Sequence, residues 1–248
     1  MLCAAMVFFS SEAQALVSLA GTRLIFDGRF PEATIEVSNR GNAQVLIQAW
    51  LADTGSPQPA EPQLPFVVTP HLAQLPAQGK QALRVMYEGV GMPIDRESLL
   101  HLYVLEVPRR SEAPQQLTIA VRQRINVFYR PEGLSGDPAE APQNLAWQWM
   151  PLDRSTLRVR NPTPFHVVLQ HIAINDIEVS EDLMLEPFAE RSLPVPDRAS
   201  AHVAFGTLTF KALTDYGGQR DFCAQAQETL PFNARLRMPG AQSTIGKC

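Results

Sequence analysis

No window of this chain sustains a 3.6-residue apolar stripe over the length of a helix; its apolar residues instead alternate, in short runs divided by turn-forming clusters. In Ala33-Thr34-Ile35-Glu36-Val37-Ser38 the apolar side chains take the odd positions and the polar ones the even, which is the period of a half-buried strand. Val45 to Leu51 is a more buried version carrying Trp50, and Leu83 to Tyr87, Leu100 to Val107 and the long Leu117 to Phe128 follow it. Leu157 to Val159, Phe165 to Ile174 and Thr207 to Leu213 continue the pattern. Between the runs stand Asn39-Arg40-Gly41-Asn42, Asp53-Thr54-Gly55-Ser56-Pro57 and Asp215-Tyr216-Gly217-Gly218, all turn chemistry. Proline is 21 of 248 residues, above the usual share of about 5%, and prolines so spread disfavour long helices and favour sheet edges and turns. These features predict an all-β protein of packed sandwiches.

The length of 248 residues suits two domains of the size of one sandwich each. The best boundary is Pro131 to Pro142, which holds three prolines, two glycines and no aromatic residue. The expected plan is a signal peptide over 1–15, an N-terminal domain over 16–131, a linker over 132–142, a C-terminal domain over 143–236 and a tail over 237–248. Met1 to Phe9 is apolar and Ala13-Gln14-Ala15 has the small-x-small form of a secretory cleavage site, although a basic segment before the apolar run is missing. The run is far too short to span a bilayer. Cleavage removes Cys3 and leaves Cys223 and Cys248, an even pair able to form one disulfide in an oxidising compartment. The net charge of −4 supplies no global positive field for nucleic acid or an anionic membrane surface.

A set of short segments then points to a family. They are Thr22-Arg23 with Ile25-Phe26, Gln48-Ala49-Trp50, Thr69-Pro70, Asp95-Arg96-Glu97-Ser98-Leu99 and Glu106-Val107-Pro108. Ile125-Asn126-Val127-Phe128-Tyr129-Arg130-Pro131, Asn161-Pro162-Thr163-Pro164-Phe165 and Asp215-Tyr216-Gly217-Gly218 complete it. In order and spacing they resemble the PapD-like periplasmic chaperones of the chaperone–usher pathway, over nearly the whole chain beyond residue 15. The resemblance implies two immunoglobulin-like sandwiches set at an angle in an L or boomerang. It also implies a location in the periplasm, pilus subunits and an outer-membrane usher as partners, no cofactor and no insertion into a membrane.

The implied chemistry is strand donation. A pilus subunit lacking its last strand exposes an apolar groove between two unpaired edges, which is an aggregation site. A chaperone strand that fills it must offer free backbone groups and large apolar side chains at alternate positions, and by the resemblance Leu117, Ile119 and Val121 do so. The competing reading puts those three side chains in this protein's own core. The resemblance also implies an anchor for the subunit's C-terminal carboxylate in the cleft between domains. Arg23 fills one of the family's two basic positions, and a guanidinium can pair with a carboxylate in bidentate fashion. At the other, where the family has Lys, this chain has Asn126. Arg124, two residues back on the same strand face, is a candidate to supply the missing charge, with Arg122 as a further candidate beside it; the alternative is an anchor resting on Arg23 alone. Glu97, Arg130 and Asp215 match the family's interdomain ionic network. The short connection from Pro108 to Leu117 resembles the short-loop branch.

Nothing indicates catalysis or a metal. The sequence holds no GxSxG, P-loop or GxGxxG. His166 and His171, five apart, would face opposite sides of a regular strand, and His71, His101 and His202 have no nearby ligand cluster. A non-chaperone structural or adhesive two-domain protein is the remaining alternative, and a donor strand buried in its own core would favour it.

Overall fold

The computed structural model describes residues 17–55, 64–109, 119–150, 153–196, 206–227, 230–237 and 248. Among these residues the first half contributes nine strands: β1 (Val17–Leu19), β2 (Arg23–Asp27), β3 (Glu32–Asn39), β4 (Val45–Ala52), β5 (Phe66–Thr69), β6 (Leu72–Leu75), β7 (Lys80–Tyr87), β8 (Ser98–Pro108) and β9 (Val121–Arg130). They form one sheet in the order β1-β3-β7-β5 and another in the order β2-β9-β8-β4-β6. The inner faces share one core, in which Phe26, Val37, Ile47, Leu83, Leu102 and Val127 are buried. The alternation in β3 works as expected: Ile35 and Val37 enter that core while Glu36 faces out and pairs with Lys80 at 2.8 Å. Phe26, Phe66, Tyr87 and Tyr129 cluster at one end, with ring centroids 4.7 to 6.3 Å apart.

The second half opens with one helical turn, α1 (Ala141–Asn144), which has Pro142 in its first turn. There the missing N–H leaves no bond unmade. Eight strands follow: β10 (Ala146–Met150), β11 (Asp153–Arg160), β12 (Val167–Ile174), β13 (Ile177–Leu185), β14 (Glu190–Pro194), β15 (Thr207–Leu213), β16 (Gln219–Gln225) and β17 (Arg235–Leu236). The sheets β10-β11-β14 and β13-β12-β15-β16-β17 enclose a separate core around Trp147, Trp149, Leu169, Phe210 and Phe222. The protein is thus all-β with two sandwiches.

Buried asparagines hold the turns that the sequence marks. Asn161 is fully buried; its amide donates to Phe165 O at 2.7 Å and Glu186 O at 2.9 Å, and its Oδ1 accepts from Thr163 N. Asn39 does the same for the turn after β3, donating to Ala43 O and Pro76 O at 2.8 Å and accepting from Gly41 N. A buried amide with its valences filled fixes a loop that apolar packing alone would leave free.

One expected element differs in extent. The strand expected from Leu117 is described only from Val121, where pairing with β8 begins at Glu106. Beyond that point β8 ends at Pro108, and Ile119 and Ala120 lie exposed outside the regular strand. Leu117 and the connection that follows Arg109 lie outside the described residues.

Candidate functional site

Strand β9 organises the site because its two neighbours cover it unequally. Along one side it pairs antiparallel with β8 over its whole length, from Val121 opposite Glu106 to Tyr129 opposite Ser98. Along the other it pairs parallel with β2, but only from Asn126 opposite Arg23 to Arg130 opposite Asp27. From Val121 to Ile125 that second edge has no strand beside it among the described residues. An open edge of this kind presents unpaired backbone donors and acceptors. Ile119, beside it, is 59% exposed and Val121 is half-buried. Both occupy odd positions, as do Ile125 and Val127 of the core, so the apolar face continues past the point where this domain's own sandwich ends.

The pairing sets a row of side chains across three strands. Arg23 of β2, Asn126 of β9 and His101 of β8 stand directly opposite one another, and residues so paired project to the same face. The structure therefore brings Arg23 and Asn126 together. Arg124 lies two residues along β9, opposite Tyr103, a step of about 6.6 Å from Asn126 on the same face. Arg122 lies another such step away, with its Cζ 5.4 Å from the Tyr103 ring, and that ring stacks on Trp50 at 5.4 Å. Neither Arg122 nor Arg124 lines the cleft between the domains, whereas Arg23 does.

That cleft has a volume of about 350 Å³ and is bounded by Arg23, Phe128 and Arg130 on one side and by His166, Asp215 and Tyr216 on the other. Arg23 reaches over the Phe128 ring, Cζ 5.9 Å from its centroid. Its Nε is buried and makes no hydrogen bond among the described residues. Burial lowers the Arg23 pKa from its ordinary value, with Asp215 and Glu97 pulling the other way. A desolvated guanidinium with an unused donor is prepared for an anion.

The network behind Arg23 is closed. Arg130 donates to Glu97 Oε1 from Nη2 at 2.8 Å and from Nε at 3.1 Å, and to Asp215 Oδ2 from Nη1 at 2.9 Å. Burial works against the Arg130 charge, but the bonds to Asp215 and Glu97 outweigh it, and its pKa is raised. Asp215 is presented by a tight hairpin between β15 and β16, closed by Thr214 N to Gly218 O at 2.8 Å, in which Gly217 has φ +79°. That φ is open to glycine at no steric cost.

Sequence reasoning missed a fourth member. His166 lies just before β12, and both its backbone N–H, at 2.8 Å, and its Nδ1, at 3.0 Å, meet Glu97 Oε2. Glu97 N–H donates in turn to Pro164 O at 2.9 Å. The opposite-face argument for His166 and His171 assumed one regular strand; β12 instead starts after His166 and carries a register shift between Ile172 and Ala173. The partner of His166 is 69 residues away, so no local pattern could have announced it. Cys223 of β16 and Cys248 are joined as a disulfide, Cα–Cα 5.7 Å. Among the described residues no group of three or more His, Cys, Asp or Glu side chains is arranged to hold a metal, and no helix is long and apolar enough to cross a membrane.

Comparison with known proteins bears on the family and the fold. Residues 16–135 match the family described as "Pili and flagellar-assembly chaperone, PapD N-terminal domain", and residues 140–224 match "Pili assembly chaperone PapD, C-terminal domain". The chain is 34% identical over 225 residues to the probable fimbrial chaperone YadV of Escherichia coli, covering 85% of this chain and 89% of that one. It is 35% identical over 217 residues to the chaperone protein FimB/FhaD of Bordetella pertussis, with 83% and 86% covered. Among solved structures it is similar to the SafB chaperone of Salmonella enterica in complex with the SafA pilin, with TM-score 0.70, 27% identity, and 94% of this chain and 99% of that chain covered. Two domain matches covering most of the chain, with relatives above 30% identity along nearly their full length, settle the affiliation: the chain belongs to the PapD-like family of pilus-assembly chaperones.

Proposed function

We propose that this protein captures pilus subunits in the periplasm by lending them a strand, holds their C-terminal carboxylate at Arg23, and passes them to an outer-membrane usher. The observation that carries the proposal is the coincidence of two vacancies. The open edge of β9 ends at Asn126, and there stands Arg23 with a buried, unpartnered Nε. A subunit strand lying along Val121 to Ile125 would lie in line with β2, and its terminal carboxylate would meet the guanidinium. The SafB complex, whose partner is a pilin, supports the choice of client.

In this reading Ile119 and Val121, with Leu117 before them, fill the subunit's groove. The exposure of Ile119 speaks against the alternative of a structural or adhesive protein with this segment in its own core. Asn126 donates an amide hydrogen bond to the carboxylate, while Arg124, exposed one step further along the same face of β9, adds a screened positive charge nearby rather than a contact. Glu97, Arg130 and Asp215 hold the angle of the cleft, a role of specificity more than stability. The Cys223–Cys248 bridge belongs to an oxidising compartment, in keeping with cleavage of residues 1–15 on export. The domain limits and the short-loop assignment are carried over from the sequence.

The test is affinity purification of the tagged mature chain from its own host's periplasm, with partners identified by mass spectrometry and Arg23→Ala in parallel. Recovery of single-domain β subunits with the wild-type chain, lost with Arg23→Ala, is the expected result. Recovery of none with the operon expressed would overturn the proposal.

A further inference from the structure

The carboxylate site proposed above is one positive charge short, because Asn126 is neutral. The row that contains Asn126 nevertheless ends in a residue able to carry a charge. We propose that His101 is the second cation of the carboxylate site, one that becomes charged as the carboxylate arrives. The inference rests on the chaperone reading and adds to it a residue and a proton.

The geometry is fixed by the sheet. His101 stands opposite Asn126 on β8, as Arg23 does on β2, and neighbours so paired have Cβ atoms about 5 Å apart. The face they share also carries Phe128, which meets His166 of the second domain at 5.4 Å, and Arg130, which meets Phe165 at 5.3 Å; Asn126 and His101 stand on that face next to, not among, the residues that line the cleft. His101 is only 8% exposed, and on its far side stands Ala52, which has no polar side chain to offer the ring. A carboxylate over Asn126 is therefore flanked by a guanidinium and an imidazole.

The charged and titratable groups around the ring set the sign. Burial lowers the His101 pKa first, Arg124 on β9 lowers it further, and Asp53 beyond β4 opposes them. Tyr103, on β8 itself, meets the ring edge-on at 6.1 Å. In the free protein the imidazole is thus neutral near pH 7. An arriving carboxylate is the one new negative charge in this set, and it raises the His101 pKa. A group whose pKa is higher in the complex takes up a proton on binding, so affinity rises as pH falls through the pKa of the complex and levels off below the pKa of the free protein.

The test uses the full mature chain and two synthetic peptides reproducing the C-terminal strand of the subunit recovered with it, one ending in a free carboxylate and one amidated. Calorimetric titrations run between about pH 8 and about pH 5, a range in which the peptide carboxylate stays ionised. The acid peptide is expected to bind about tenfold more tightly at the lower pH for each unit by which the His101 pKa rises, with proton uptake, while the amide shows no such gain. His101→Gln should flatten the profile. Should that variant not fold, the imidazole of the wild-type chain is followed by NMR, where the acid peptide must move its titration to higher pH. Arg23-dependent binding with a flat profile, or an unmoved imidazole, overturns the role of His101 and leaves the chaperone reading standing. No binding of either peptide by a chain that does recover the subunit overturns the carboxylate site and with it the role of His101, whereas a chain that copurifies with no subunit overturns the chaperone reading as well.

Discussion

Arg23 and Arg124 differ in what their surroundings ask of them. Arg23 is partly desolvated and has a donor without an acceptor, so an anion that pairs with it recovers a cost already incurred. Truncating a charged, hydrogen-bonded partner in such a place typically costs about 2–5 kcal/mol, and Arg23→Ala is expected to weaken subunit binding by at least tenfold in calorimetry. Arg124 is exposed and its charge is screened. Its contribution should be smaller and should shrink between low and moderate salt, by contrast with that of Arg23. An unchanged affinity in Arg124→Ala would remove Arg124 from the anchor. Residues of this kind show where the sequence stops being legible. The roles of Arg23 and Asp215 came through resemblance, since a lone arginine or aspartate has no local signature. His101 sits in the apolar run Leu99 to Leu105, where nothing distinguishes it from a core histidine until the register places it opposite Asn126.

At the level of elements, alternation was a guide where a long strand alternates regularly between core and water. β3, β7 and β15 were legible for that reason, each with a regular in-and-out pattern. Alternation missed β13, most of which is exposed or part-exposed. β1 spans three residues and β17 two, too few for a period to register, and they exist because a longer neighbour pairs with them. β10 escaped notice although Trp147 and Trp149 are both inside the core, since five residues give an alternating period little length to register. The run proposed as the donor segment was legible as alternating, but the extent of its open edge was not, because that depends on where β2 begins. Ile119→Asp tests that element by itself. Ile119 is exposed in the free protein, so the melting temperature should stay within about 2 °C, as for surface substitutions of about 0.5 kcal/mol or less. Losing one buried isoleucine contact of about 1.5–3 kcal/mol should weaken subunit binding about tenfold or more, read in the same calorimetric titration.

For the whole molecule, the decisive feature is that both domains contribute to one ionic cluster. Glu97 is 3% exposed and is met by Arg130 from β9 and His166 from the second domain. Removing Arg130 leaves that carboxylate buried without its cation, a change that costs about 3–5 kcal/mol. Arg130→Ala is therefore expected to lower the melting temperature by several degrees in calorimetry and to broaden the distribution of shapes in small-angle scattering. A two-domain outline identical to wild type would show that apolar contacts alone hold the angle. The two-domain plan itself was readable from the proline-rich stretch between the halves; the closure of the cleft was not, because its bonds join residues 33, 69 and 85 positions apart.

β9 runs without interruption from Val121 to Arg130, with its open edge at one end and the domain-spanning bonds at the other. A strand advances about 3.3 Å per residue and turns its side chains over at each step. Whatever is gripped beside Asn126 is therefore held at a set distance from every position on the open edge. A client one residue too long or too short, gripped by the same terminal group, would offer its pockets to the wrong face of the lent strand. The protein would then act as a gauge, accepting chains by the distance between their last residue and their missing strand.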